Sequence, residues 1–239
     1  MARRLISFVA LAVVVVLFPC ASIVFSQEGS RGGASKENLD LPFDALSESE
    51  DDDEKAPEVI VFYAQQYEGD GFFYSCDMSG SMNEESKIKK LQREVIKNVS
   101  QFSEKVQFSF CFYDSGLKKF PANGRPADAN PAMKAAAIAY VMSITPGHGS
   151  CGKPSLLAAL QFASQSSSKR KVIIHLSDGQ NYCNNMDKAT YDQQILAEVS
   201  AKNTQRVKIN SICIGVSDVN EEWMRKLAFQ NNGQASRVQ

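Results

Sequence analysis

Histidine is nearly absent from this chain, with two in 239 residues, and no Cys-x-x-Cys pair or mixed His/Cys cluster occurs. That removes a structural zinc site built on sulfur and imidazole. A basic excess is missing too: 26 Lys and Arg stand against 27 Asp and Glu, a formal net charge of −1. Without a basic face there is no electrostatic footprint for nucleic acid, and none is expected as a partner. The sequence has neither a nucleophile elbow nor a glycine-rich phosphate cradle, which argues against acyl and phosphoryl transfer. It has no short internal repeat. What remains is a chain with 44% hydrophobic residues, enough for one core of ordinary size with some residues to spare.

The amino-terminal end reads as targeting rather than fold. Arg3 and Arg4 precede an apolar run over 5–18, and Val24 and Ser26 suit the −3 and −1 positions of a cleavage site. Residues 1–26 are therefore expected to be a secretory signal peptide, with Gln27 as the new amino terminus. An uncleaved membrane anchor is the alternative, because apolar character continues over 21–25 toward spanning length. Leu17-Phe18-Pro19-Cys20 is a poor lipidation signal. Residues 27–57 are rich in Gly, Ser and acid and close on Asp51-Asp52-Asp53-Glu54. Such a segment buries too little apolar surface to order itself, so a solvated linker is expected. Export to a secreted, periplasmic or cell-surface location permits disulfides. Cys76, Cys111 and Cys213 fall in expected strands, as small buried hydrophobes. Cys151 and Cys183 fall in loops.

Order is expected over 58–239. Its centre is Phe72-Phe73-Tyr74-Ser75-Cys76-Asp77-Met78-Ser79-Gly80-Ser81-Met82. An apolar run without polar alternation suits a strand buried on both faces, and the Asp-x-Ser-x-Ser that ends it then lies at the carboxyl end of that strand. Three small oxygen donors in five residues, with no sulfur or imidazole, suit a hard cation such as Mg²⁺ or Mn²⁺. Before it, 59–63 reads as a strand, joined to 72–76 through a polar Gly-Asp-Gly turn as a hairpin. After it, Ile88, Leu91, Val95, Val99 and Phe102 mark an amphipathic helix. Strands are expected over 108–113, 117–120, 172–176 and 207–214, and helices over 132–143, 155–166, 187–201 and 221–229. The 172–176 strand also ends in an acid, Ser177-Asp178-Gly179. Alternating helices and strands imply an α/β fold, a doubly wound, mostly parallel sheet with helices on both faces.

Residues 73–82 and 173–179 together resemble the von Willebrand factor type A (vWA) domain, most closely its exported bacterial versions. The resemblance extends from about 59 to the carboxyl end, including a last helix and final strand. It implies a metal-ion-dependent adhesion site in which Asp77 acts on a Mg²⁺ directly or through water, Ser79 and Ser81 supply hydroxyls, and Asp178 holds a coordinated water. The family usually adds a threonine from the loop before the third helix. Here that loop reads Gly-His-Gly-Ser-Cys-Gly-Lys-Pro-Ser, without one. Ser150 is a substitute by its glycine context and Ser155 by its distance from Ala159-Leu160; Ser150 is preferred, since Ser155 also suits a helix cap. His148 reads as a solvated loop residue. The implied function is a non-enzymatic module whose metal bridges to an acidic residue of a protein partner. A metal-dependent hydrolase and a fold with an empty site are the alternatives. If the fold holds, the loops of Cys151 and Cys183 rim one crevice, and a disulfide between them is expected.

Overall fold

The computed structural model describes residues 56–215 and 218–238. The expected leader, and the expected linker up to residue 55, lie outside the described residues. The described chain runs β1 (Glu58–Phe62), β2 (Gln65–Gly69), β3 (Gly71–Asp77), α1 (Lys87–Gln101), β4 (Gln107–Tyr113), β5 (Leu117–Phe120), β6 (Ala127–Asp128) and α2 (Pro131–Ser143). It continues through α3 (Gly152–Gln165), β7 (Lys171–Ser177), α4 (Lys188–Lys202), β8 (Lys208–Ile214), α5 (Asp218–Gln230) and β9 (Ala235–Val238). Among the described residues no helix is long and apolar enough to cross a membrane.

The main sheet has the order β5-β4-β3-β7-β8-β9, with β6 also paired to β4. β3, β4, β7, β8 and β9 are parallel neighbours, while β5 and β6 run antiparallel to β4. This is the expected doubly wound arrangement. After β3 the chain turns first toward β4 and later returns to β7 on the other side. The carboxyl ends of β3 and β7 therefore flank the switch point where open α/β sheets form a crevice.

Alternation along each strand divides the core in two. Phe72, Tyr74, Phe108, Phe110, Ile174 and Leu176 pack against α1, α2 and the β1–β2 hairpin. That layer is rich in aromatic contacts, with Tyr74 and Phe110 centroids 5.1 Å apart. The opposite layer joins Phe73, Ile173 and Ile209 to α3, α4 and α5, where Ala159 and Ala163 let α3 approach closely. On this second face β3, β4 and β7 also carry Ser75, Tyr113, His175 and Ser177, all buried.

Three expectations fail, the simplest being α5, which begins at Asp218 and not at Glu221. The hairpin is not β1 with β3: β1 pairs antiparallel with β2, in a separate two-stranded sheet. The polar stretch 65–69 is itself a strand, burying only Tyr67 and Gly69, and the turn is Tyr63-Ala64, both with positive φ. Gly69 and Gly71 are where the backbone passes close to Arg170 and Ser168. Nor does α3 start at Ser155. It starts at Gly152, because Pro154 is tolerated in a first turn, where its missing N–H has no helical partner.

Candidate metal centre

Asp77 closes β3, in register with Tyr113 of β4 and beside Ser177 at the end of β7. Its carboxylate is fully buried. Oδ1 accepts from the Ser79 backbone N–H at 2.7 Å. Oδ2 accepts from Ser177 Oγ at 2.7 Å, and from Ser150 Oγ and Tyr113 OH at 3.3 Å each. Burial pushes its pKa up to about 6, helped by the neighbouring charge of Asp178, while the Ser79 and Ser177 donors work in the other direction.

Beyond Asp77 the chain makes a 3-10 turn, Gly80–Ser86, before α1. This brings Ser79 Oγ and Ser81 Oγ within 3.1 Å of each other. The loop that delivers Ser150 is stitched down on three sides. Gly147 N donates to Met78 O, Ser115 N to His148 O, and Cys151 N to Asp114 O, each at 2.7 Å. Gly147 makes room for the Asp114 side chain: a Cβ there would lie 1.8 Å from Asp114 Oδ2, so that carboxylate would have to move. Ser150 also pairs with Tyr182 through reciprocal backbone bonds. Next to that bridge the expected Cys151–Cys183 disulfide is formed, with a Cα separation of 4.9 Å. Cys76, Cys111 and Cys213 are free and buried, as expected of strand cysteines.

Asp178, 4% exposed, sits across the switch point. Its Oδ1 accepts from Gln180 N at 3.1 Å and its Oδ2 from Lys87 Nζ at 3.4 Å. The turn after it needs Gly179, whose φ is +75° and whose carbonyl accepts from Trp223 Nε1 at 3.1 Å. Ser79, Gly80, Ser81, Ser150 and Tyr182 line an open cleft of about 230 Å³, with exposed His148 on its rim.

The structure thus brings Asp77, Ser79, Ser81 and Ser150 together, with Asp178 beside them. Ser155 is elsewhere. It is buried in the first turn of α3, where its hydroxyl donates to Cys111 O at 2.9 Å and meets Ser75 Oγ at 2.8 Å. It neither caps the helix nor faces the cleft.

The donor set fits a hard divalent cation. Adjacent ligands of an octahedron with bonds near 2.1 Å lie roughly 3.0 Å apart. The Ser79–Ser81 pair at 3.1 Å and the Ser150–Asp77 pair at 3.3 Å are close to that edge. Among the described residues no group of three or more His, Cys, Asp or Glu is placed to hold a metal ion, and the donors gathered here are hydroxyls and two carboxylates.

Reasoning from sequence missed Tyr113, Ser177, Lys87 and His175. The first three contact the acids directly. His175 lies behind them, with Nδ1 3.1 Å from Ser75 Oγ and its ring stacked 6.0 Å from Tyr113. Burial lowers its pKa to about 3, so it is neutral at physiological pH.

A mostly parallel, doubly wound sheet with an oxygen-lined crevice at its switch point defines the class of protein. The family model of the von Willebrand factor type A domain matches residues 76–239, and the chain belongs to that family. Among solved structures it is similar to a von Willebrand factor type A protein from Catenulispora acidiphila, at 18% identity and a TM-score of 0.61, covering 73% of this chain and 40% of that one. It is similar to the pilus adhesin SpaC of Lactobacillus rhamnosus GG in its open conformation, at 12% identity and a TM-score of 0.59, covering 77% and 28%. The PilB minor pilin of Streptococcus sanguinis follows at 14% identity and a TM-score of 0.54, covering 70% and 56%. The chain thus spans less than two thirds of each of these three proteins. A comparison with curated proteins finds no match.

Proposed function

We propose that this chain is an exported, non-catalytic protein-binding module of the adhesion or scaffold kind, dependent on Mg²⁺ or Mn²⁺. Asp77, Ser79, Ser81 and Ser150 would hold the ion, and Asp178 would hold a water upon it. When bound, the cation supplies a Lewis-acid position open to a carboxylate from a protein partner. The observation that carries this reading is the placement of Ser150. A hydroxyl 73 residues away in sequence is delivered 3.3 Å from Asp77 Oδ2, at the mouth of an open cleft.

The chain's own residues prepare that position. Ser177 and Tyr113 hold the inner oxygen of Asp77 from below, and the disulfide with its adjoining bridge fixes the Ser150 loop from the side. Binding is favoured over turnover. Ser75 and His175 have the residue types of a nucleophile and its base, but both are fully buried and neither lines the cleft. The structural neighbours named as a pilus adhesin and a minor pilin support a surface role, in keeping with the amino-terminal pattern of export.

Isothermal titration of the purified chain with MgCl₂ tests the metal, followed by pull-down from surface extracts in Mg²⁺ against EDTA. One site per chain is expected, lost in Asp77→Ala with the fold intact by circular dichroism. Equal Mg²⁺ binding by both proteins would refute the assignment.

A further inference from the structure

Lys87, the first residue of α1, is only 8% exposed. Its ammonium reaches across the strand ends to Asp178 Oδ2 at 3.4 Å, in an ion pair whose side chains are 10% and 3% exposed. Gly215, just past β8, borders its end: a Cβ there would lie 3.6 Å from Lys87 Cε and 3.8 Å from Nζ. Its second acidic neighbour, Glu84 at 3.6 Å, is 69% exposed and therefore largely screened by water. A buried ammonium is expensive unless paired, and Asp178 is the partner that accounts for its position.

We propose that Lys87 is an internal counter-cation that sets which ligand the crevice accepts. This rests on the metal reading above. With Lys87 in place, two carboxylates, one ammonium and one divalent cation leave the loaded site with a net charge of plus one. A partner carboxylate brings it to neutrality. Without Lys87 the loaded site is already neutral. The lysine therefore weakens the hold on the cation and strengthens the demand for an anionic group, so the two affinities move in opposite directions when its charge is removed. It also discriminates against uncharged oxygen ligands such as amides and hydroxyls, which cannot cancel the remaining charge. A unit charge a few ångströms away in a partly buried site is worth an order of magnitude or more in affinity.

The test compares the wild-type chain with Lys87→Met, which keeps the aliphatic length, and with Lys87→Gln, which guards against a packing defect in the first. Mg²⁺ affinity is read by calorimetry. Acetate binding to the Mn²⁺-loaded proteins is read by water-proton relaxation, with acetamide as the neutral probe. Both variants should bind Mg²⁺ about tenfold more tightly and acetate about tenfold more weakly, with acetamide unchanged. Unchanged or weaker Mg²⁺ binding in the variants, beside a wild type that binds, overturns the role of Lys87 alone. Tighter Mg²⁺ with equally tight acetate overturns the ligand selection. Absence of Mg²⁺ binding in all three proteins overturns the metal reading and this inference with it.

Discussion

Replacing Asp77 by asparagine should stabilise the metal-free domain at neutral pH, although Asp77 is the centre of the proposed metal site. The carboxyl is fully buried and its pKa rises from 3.8 to about 6 on folding. Below pH 3.8 it is protonated in both states and carries no penalty. Between 3.8 and 6 the unfolded chain has released its proton while the folded chain retains it, so stability falls as pH rises through this window. Above pH 6 the cost is complete, about 3 kcal/mol from two pKa units. An asparagine of the same shape escapes it. Its oxygen can still accept from Ser79 N, and two of the hydroxyls of Ser177, Ser150 and Tyr113 can rotate to accept from the two hydrogens of its amide. The assay is urea unfolding in EDTA at pH 4, 5, 6 and 7.5, where groups remote from Asp77 titrate alike in both proteins and cancel. Asp77→Asn should match the wild type at pH 4 and exceed it by about 2–3 kcal/mol at pH 7.5. Saturating Mg²⁺ should then stabilise the wild type and leave the variant unmoved. A variant less stable than wild type at pH 7.5, or a gap that does not widen from pH 4 to 7.5, would refute the reasoning.

Two further substitutions separate structure from binding. Ser155→Ala should cost about 1–3 kcal/mol, because it strips buried partners from Cys111 O and Ser75 Oγ. It should leave Mg²⁺ affinity alone, whereas Ser150→Ala should weaken Mg²⁺ with little loss in urea unfolding. Removing the disulfide by Cys151→Ser with Cys183→Ser opens a bridge between residues 32 apart and should cost about 3–4 kcal/mol. The same pair should lower Mg²⁺ affinity, since Ser150 adjoins the bridge; a loss below about 1 kcal/mol would show that the backbone bonds to Tyr182 hold the loop unaided.

The fold was legible wherever a strand is buried on both faces, because such strands are continuous apolar runs. β3, β4 and β7 are largely of this kind, and each stood out within a residue or two; β8 did so as well, although Asn210 and Ser211 interrupt it. β2 did not, because its other face is solvated and its buried face presents only Tyr67 and Gly69. With one aromatic among polar residues, it reads as a loop, and the glycines that flank Asp70 complete the impression of a turn. Their actual office is close approach to Arg170 and Ser168, a tertiary fact with no local signature. The start of α3 was hidden for a similar reason. Ser155 has the composition of a cap, but the chain is already helical three residues earlier, after a cysteine tied to Cys183.

In the site, the donors within one loop were readable from spacing, and Ser150 needed the fold to bring it in. Tyr113 and Ser177 reach Asp77 through strand register, which no single strand encodes. Lys87 is different, because its signal was present. The apolar stripe of α1 runs through Leu91, Val95 and Val99 at four-residue steps, and one step back from Leu91 is Lys87. Residues so spaced lie on one face of a helix, above one another. Lys89, two positions on, is exposed; Lys87 is buried. A charged residue on the buried stripe of an amphipathic helix must find an opposite charge inside the protein. Asn98, nearer the other end of the same stripe, obeys the same logic: it takes a hydrogen bond from Tyr74 OH at 2.7 Å and donates to Val61 O at 2.8 Å. A break in an apolar stripe by a polar residue therefore marks a buried polar contact. When the residue is charged and the stripe ends at a strand-end carboxylate, that contact belongs to the site.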